Sequence, residues 1–215
     1  MRPPDEVEPP IVVKVGGSLL TWPELSERLA RWLEAEGASR LVLVAGGGQA
    51  ADLVRILDET HRLGDEPAHR LALHALDFTA EVLARLVSGS RVVHRLADLP
   101  SAWNAGSRPI LAPRVFLEEV DERRADRLAF SWEVTSDSIA ARVAVELRAT
   151  RLILLKSTST AAATRLEAAR AGLVDPYFPV ASEAVDRVEI VDLRDPESPQ
   201  RVLMKGKDSG DVWTA

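Results

Sequence analysis

Lys14 stands inside a run of mostly β-branched residues, Ile11-Val12-Val13-Lys14-Val15, that ends in Gly16-Gly17-Ser18. A buried strand closing in glycines brings backbone N–H groups to the edge of a sheet, and an ammonium beside them adds a point charge. The anion this combination fits is phosphate. The plain alternative is a buried strand closed by an ordinary Gly-Gly turn. A second set follows: residues 40–45 (RLVLVA) read as a strand, and Gly46-Gly47-Gly48 leads into a helix whose N-terminus favours negative charge. Two such loops side by side could hold a phosphoryl group passing from donor to acceptor. Alternatively, the three glycines make a tight strand-to-helix junction. Gly46, Gly48 and Ala51 also satisfy the loose G-x-G-x-x-A dinucleotide pattern, but no strand ending in an acid follows promptly. Neither G-x-x-x-x-G-K-[ST] nor a strict G-x-G-x-x-G after a strand occurs in the chain.

Two later stretches carry ionisable groups at element ends. Thr135-Ser136-Asp137 precede a helical pattern with Ile139, Ala140, Val143, Ala144 and Leu147 on one side. Asp137 is either a helix cap or a carboxylate that orients a lysine or a magnesium-bound phosphate. Lys156 leaves the apolar strand 151–155 (RLILL) into Ser157-Thr158-Ser159-Thr160, either snorkelling to solvent or serving as a phosphate ligand. His61, His69, His74 and His94 form no i, i+4 pair, so no histidine metal site is expected. His69, followed by Arg70, is the one histidine placed for substrate contact.

The elements that must position these residues alternate between strand and helix. Thr21 reads as an N-cap with Pro23 and Glu24 behind it, opening a helix with Leu25, Leu29, Trp32 and Leu33 inward and Gly37 as its stop. The helix after Gly48 presents Ala50, Leu53, Val54 and Leu57 on one stripe. Residues 57–67 read as a loop, and a long helix then places Leu71, Ala75, Phe78, Val82 and Leu86 on one face. Residues 91–94 and 109–112 read as short strands, 99–108 as a surface connection, and the charged run across 114–130 as a solvated face or lid-side segment. An alanine-rich helix ends near Gly172, residues 174–179 make a turn, and 188–191 is the last clear strand. The β-loop-α order predicts a parallel sheet with right-handed crossovers and ligands beyond the carboxyl ends of its strands. Residues 204–210 read either as a nucleotide-edge loop or as a frayed terminus.

Composition sets outer bounds. The chain has 215 residues, enough for a substantial core, and is 46% hydrophobic and 28% charged. A net charge of -6 argues against a duplex nucleic-acid binder, which needs a basic face. There is no cysteine, which excludes disulfides and thiolate metal sites and suits a cytoplasmic protein. No apolar run reaches the roughly 18 residues of a membrane span, so no membrane partner is expected. Residues 1–10, with four prolines and three acids, read as a disordered lead-in to a single domain over 11–215.

Together these stretches resemble the amino acid kinase family, which includes acetylglutamate, aspartate, carbamate and uridylate kinases. The carrying pieces are Val13-Lys14-Val15-Gly16-Gly17-Ser18, Ala45-Gly46-Gly47-Gly48, Val134-Thr135-Ser136-Asp137-Ser138-Ile139-Ala140-Ala141 and Leu152-Ile153-Leu154-Leu155-Lys156-Ser157, in the family's order. The resemblance implies a three-layer αβα sandwich around a mainly parallel sheet and an ATP-dependent phosphotransferase using Mg2+. By position, Lys14 and Asp137 would be the catalytic pair, Lys14 on the transferring group and Asp137 organising the lysines. Gly16, Gly17, Ser18, Lys156 and Ser157 would border the nucleotide. Gly46, Gly47, Gly48 and Thr135 would face a small-molecule phosphoryl acceptor, and a homo-oligomer is expected. Two departures stand out: relatives carry an acid in the loop where this chain has Lys156-Ser157-Thr158-Ser159, and the second family lysine is missing from its usual later helix, with Lys156 as its possible substitute.

Within the family, Ala51-Asp52-Leu53-Val54-Arg55, Ala68-His69 and the segment from Trp132 to Asp137 resemble the small aminomethylfuran phosphate kinase-like group of methanofuran-type cofactor synthesis. That likeness implies an acceptor that is itself a phosphate ester, with Arg55, His69 and Arg70 holding its anionic end. The alternative from another class is a non-catalytic nucleotide- or oxyanion-binding or storage protein on the same fold.

Overall fold

The computed structural model describes residues 9–206. A single sheet of seven strands runs through them in the order β3-β4-β2-β1-β5-β6-β7. In chain order the elements are β1 Ile11–Val15, α1 Leu25–Glu36, β2 Leu41–Ala45, α2 Gly48–His61, α3 Asp65–Leu86, β3 Ser90–Val93, α4 Leu99–Asn104 and β4 Arg108–Leu111. Then come α5 Pro113–Glu119, α6 Ser136–Glu146, β5 Arg151–Lys156, α7 Arg165–Arg170, α8 Phe178–Ala181, β6 Val188–Asp192 and β7 Arg201–Leu203. All neighbours pair in parallel except β6 with β7. β1 lies between β2 and β5, so both glycine turns and Lys156 leave the sheet at adjacent carboxyl ends.

Central strands of such a sheet are buried on both faces and therefore read as near-continuous apolar runs. Here alternate residues feed two cores. Val12, Val42, Val44, Leu152 and Leu154 pack with α4, α5, α6 and α8, whereas Val13, Val15, Leu43, Ile153 and Leu155 pack with α1. Helices thus cover both faces, giving the αβα sandwich. α3 contributes to both cores, Leu73 and Leu76 to the first and Ala80 and Leu83 to the second.

Several local expectations need correction. The first helix is capped by Glu24 without a side-chain hydrogen bond, so Thr21 is not its N-cap, although Gly37 does end it in the left-handed region at φ 62°. The loop expected over 57–67 is mostly helix, because α2 runs to His61 and α3 starts at Asp65. Residues 99–104 form α4 rather than open connection: Pro100 sits in its first turn, where a missing N–H costs nothing, and Leu99 and Ala102 are fully buried. The apolar stripe read for α2 does not face the core, and that read for α3 does so only in part: Leu71 and Phe78 are exposed, whereas Ala75 is buried and Leu86 packs on the second core. α2 buries no residue, and Leu53, Ile56 and Phe78 are each more than half exposed. Both helices are apolar on two sides, and periodicity alone does not choose between sides. β7 was missed because three residues with an exposed edge carry little pattern. Pro10 is buried and its carbonyl accepts the Thr150 N–H at 3.1 Å, so the expected disorder does not extend to it; the rest of that lead-in up to residue 8 lies outside the described residues, as do 207–210 of the basic tail.

Candidate active site

Strand pleating selects the face on which each lysine emerges. Val12 faces the α6 side and Val13 and Val15 the other, so Lys14 also faces α6. On β5 the same alternation sends Lys156 to that side with Leu152 and Leu154. Lys14 is in register with Leu154, which leaves Lys156 one pleat further toward the loops. Above both sits the first turn of α6, and the two ammoniums share one carboxylate there: Lys14 Nζ lies 2.9 Å from Asp137 Oδ1, and Lys156 Nζ lies 2.8 Å from both Asp137 oxygens.

Asp137 is 5% exposed and Lys14 4%, so the cluster is nearly dry. Burial by itself would raise the Asp137 carboxyl, but Lys14 and Lys156 outweigh it and hold the group at about 2. Burial draws the Lys156 ammonium down to about 8, opposed by Asp137 and reinforced by Lys14. Both ammoniums also line the cavity, where the oxygens of a phosphate could accept from them.

Asp137 is therefore free of capping duty. The N-cap residue of α6 is Thr135, and its hydroxyl caps nothing; it donates to Asp175 Oδ2 at 2.8 Å. The same Asp175 oxygen accepts the backbone N–H of Thr135 and of Ser138, each at 3.0 Å, while Asp175 Oδ1 takes the Ser138 hydroxyl. A carboxylate from far along the chain thus caps the helix on which Asp137 rides. Burial, then the charge of Asp137, pushes the Asp175 carboxyl above its ordinary range. The sequence reading placed Asp175 in a turn and gave it no role; Asp-Pro before aromatics signals a turn, not a partner forty residues away.

The glycines meet one another. A Cβ on Gly17 would come within 2.2 Å of Gly48 N, and one on Gly48, at φ 50°, within 2.7 Å of Gly17 O. Only glycine permits this crossing of two backbones. The N–H groups of Gly16 and Gly46 are spent within the sheet, on Leu155 O and Val15 O at 2.8 Å each. Gly46 is buried beneath the crossing, where a side chain would press on Lys14 Nζ, whereas Gly47 and Gly48 reach the cavity. Ser18 and Ser157 join the two loops, Oγ to Oγ at 2.9 Å.

Beside them opens a cavity of about 1080 Å³, at the upper end of ordinary ligand pockets, roughly 300–1,000 Å³. Lys14, Gly17, Ser18, Asp137, Lys156 and Ser157 line one part of it, and Gly47, Gly48, Arg55, Trp132 and Thr135 another. Arg55 lies over the Trp132 ring at 4.6 Å, and the Trp132 N–H donates to Asp58 Oδ2 at 2.8 Å. His69 packs on Phe130 with ring centroids 4.7 Å apart, and burial lowers its imidazole. Arg70 is engaged by Glu66 and Glu122, at 3.0 and 3.1 Å, and does not line the cavity. Of the residues expected to act together, Gly46, His69 and Arg70 do not line this cavity and the others do.

Among the described residues no group of three or more histidine, aspartate or glutamate side chains could hold a metal. The donor set here is cationic and amide-rich. It fits a nucleotide whose own phosphates carry Mg2+, which keeps much of its water and needs only one or two protein ligands.

The sequence profile of the amino acid kinase family matches residues 9–160. The chain belongs to the amino acid kinase family. A relative in Methanocaldococcus jannaschii, [5-(aminomethyl)furan-3-yl]methyl phosphate kinase, is 28% identical over 129 residues, covering 60% of this chain and 57% of that protein. The chain thus aligns with little more than half the length of that relative. Among solved structures, aspartate kinase from Synechocystis superposes with a TM-score of 0.65 at 14% identity, covering 93% of this chain and 40% of that one. Uridylate kinase from Archaeoglobus fulgidus gives 0.59 at 14% identity, with coverages of 84% and 89%. UMP kinase from Ureaplasma parvum gives 0.59 at 12% identity, with coverages of 92% and 99%. At these identities the likeness concerns the fold. Among the described residues no helix is long and apolar enough to cross a membrane.

Proposed function

We propose that the chain is an ATP-dependent phosphotransferase acting on a small acceptor that already bears a phosphate, as the substrate named for the Methanocaldococcus relative does. The observation that carries this reading is the pair of ammoniums held on one buried carboxylate at the floor of a cavity bounded by two glycine turns. An acceptor phosphate oxygen attacks the γ-phosphorus of ATP, the bond to the β-phosphate oxygen breaks, and ADP leaves, giving a diphosphate ester. The attacking oxygen is already ionised, so no general base is required. Lys14 and Lys156 hold the charge spread over the transferring group, the Gly17 and Ser18 amides hold donor phosphates, and those of Gly47 and Gly48 hold the acceptor. Mg2+, carried on the nucleotide, supplies further charge neutralisation.

Lys156 takes the place of the absent later lysine, because it reaches the same carboxylate as Lys14. A homo-oligomer belongs to this reading, and the exposed Leu53, Ile56 and Phe78 offer apolar surface for its contacts. So does a cytoplasmic location. A second reading, a nucleotide- or oxyanion-binding protein without turnover, draws on the loop from Ser157 to Thr160, which has no carboxylate. ADP release, measured with a panel of phosphate esters and carboxylates, separates the two. Turnover that falls on the order of 10²–10³-fold in Lys14→Ala supports the kinase. Binding of a non-hydrolysable ATP analogue with no turnover on any acceptor supports the second reading instead.

A further inference from the structure

A side cavity of about 210 Å³ opens beside the main one, with His69 on its wall and with Arg55 and Trp132 lining both. Arg55 is an exposed cation on α2. Among the described residues no carboxylate pairs with it, and the contact that holds its guanidinium is the Trp132 ring, 4.6 Å away. Arg70, by contrast, also approaches a ring, Phe130 at 5.6 Å, but is taken up by Glu66 and Glu122. Trp132 is itself held: its indole N–H donates to Asp58 Oδ2 at 2.8 Å, while Asp58 Oδ1 accepts the N–H of Gly64, the N-cap residue of α3, at 3.2 Å. Arg55 and Asp58 are neighbours on one face of α2, a turn apart. The indole therefore spans that turn, under the guanidinium at one end and bonded to the carboxylate at the other. Asp58 lines neither cavity, so it reaches the site only through the ring and Arg55.

Resting on the phosphotransferase reading, we infer that Asp58 and Trp132 are positioning residues, which hold the Arg55 guanidinium ready at the mouth shared by the two cavities for the anionic group of the acceptor. Helical side chains lean toward the N-terminus of their helix, which carries Arg55 back toward Gly47 and Gly48 on the same cavity lining. An arginine has several rotatable bonds, and a ligand that must fix them loses affinity in doing so. A guanidinium already stacked has given up that freedom before the ligand arrives. A carboxylate could also fix it, but would occupy the N–H fork and compete with the acceptor. An aromatic face holds the cation and leaves the fork open to two oxygens of the incoming group. The role of Asp58 is to keep that face in place.

Calorimetric titration with methyl phosphate, a non-hydrolysable ATP analogue being held at saturation, reads the acceptor side by itself. Trp132→Leu and Asp58→Ala are each expected to weaken methyl phosphate about three- to tenfold, while the affinity for the ATP analogue stays within about twofold and so reports an intact fold. Asp58→Asn keeps an oxygen for the indole N–H and is expected to recover most of that loss. In an Arg55→Ala background, Trp132→Leu should cost nothing further, because no guanidinium remains to be positioned. Full affinity for methyl phosphate in Trp132→Leu overturns the inference. So does an Asp58→Asn variant as weak as Asp58→Ala, a Trp132→Leu loss that persists without Arg55, or an unaltered protein that does not bind methyl phosphate. Failure of the phosphotransferase reading shows separately, as no ADP release with any acceptor while these binding differences remain.

Discussion

Two charge clusters sit at opposite ends of the sheet, joined by β5, and differ in what opens beside them. At the carboxyl ends of β1 and β5, Lys14 and Lys156 share Asp137, so two cations face one carboxylate beside a large cavity. At the amino ends of β5 and β6, Arg151 meets Glu36 at 2.5 Å and Glu189 at 2.8 Å, and Arg187 and Gln200 also donate to Glu189, which is wholly buried. Here two guanidiniums face two carboxylates supplied by neighbouring strands and by α1, although the buried Arg151 Nε has no hydrogen-bond partner. The balanced cluster clasps β6 and the loop before β7 to the sheet. The other cluster lines the cavity together with Asp175, so its two ammoniums stay within reach of a ligand. Both are ion clusters on the same sheet, and the opening of one onto a large cavity is what separates a site from a clasp.

Substitutions should pull the two apart. The largest expected effect is on turnover: Lys14→Ala leaves a neutral Lys156–Asp137 pair, so phosphotransfer falls by the 10²–10³-fold given above while thermal unfolding changes little. At the other cluster, Glu189→Gln leaves Arg151 and Arg187 short of charge and should lower unfolding free energy on the order of 3 kcal/mol by denaturant titration, with turnover per folded molecule unchanged. If Glu189→Gln instead reduced turnover without loss of stability, the division between site and clasp would be wrong.

Asp175→Asn probes the join between stability and function, because the capping carboxylate lies close to Asp137. Loss of a helix cap costs about 1–2 kcal/mol. Since this cap also fixes the turn that carries Asp137, kcat is expected to fall more than KM rises, a split that a purely structural role would not give. The smallest effect is in the pH profile. With the Lys156 ammonium drawn down to about 8, its positive charge is lost as pH rises through that value, so kcat/KM should decline above about pH 8. Lys156→Arg should carry that limb upward, since a guanidinium does not deprotonate there. The stability contribution runs the other way: the folded state releases this proton more readily than the unfolded chain, so between about 8 and the ordinary lysine range near 10.5 this group alone favours folding as pH rises.

Much of the layout was legible in the sequence because it is written locally. Buried parallel strands are apolar throughout, and Ile11–Val15, Leu41–Ala45 and Arg151–Lys156 show it. Glycines following two of them marked where backbones must come close, although their reason proved to be each other as much as any anion. The family's four stretches were recognisable from their order alone. Less legible were the faces of α2 and α3, whose apolar residues occur on both sides, and α4, where a proline in the first turn imitates a break.

The sequence by itself determined that strands would deliver Lys14, Lys156 and two glycine turns to one rim of a sheet, because pleat and helix periods are properties of neighbouring residues. It could not determine that Lys156 would share Asp137 with Lys14, that Asp175 would cap α6, or that Trp132 and His69 would frame a separate chamber. Those facts depend on contacts between residues far apart in the chain, fixed by strand order and by how α3 and α6 lean on the sheet. Only the tertiary structure decided them.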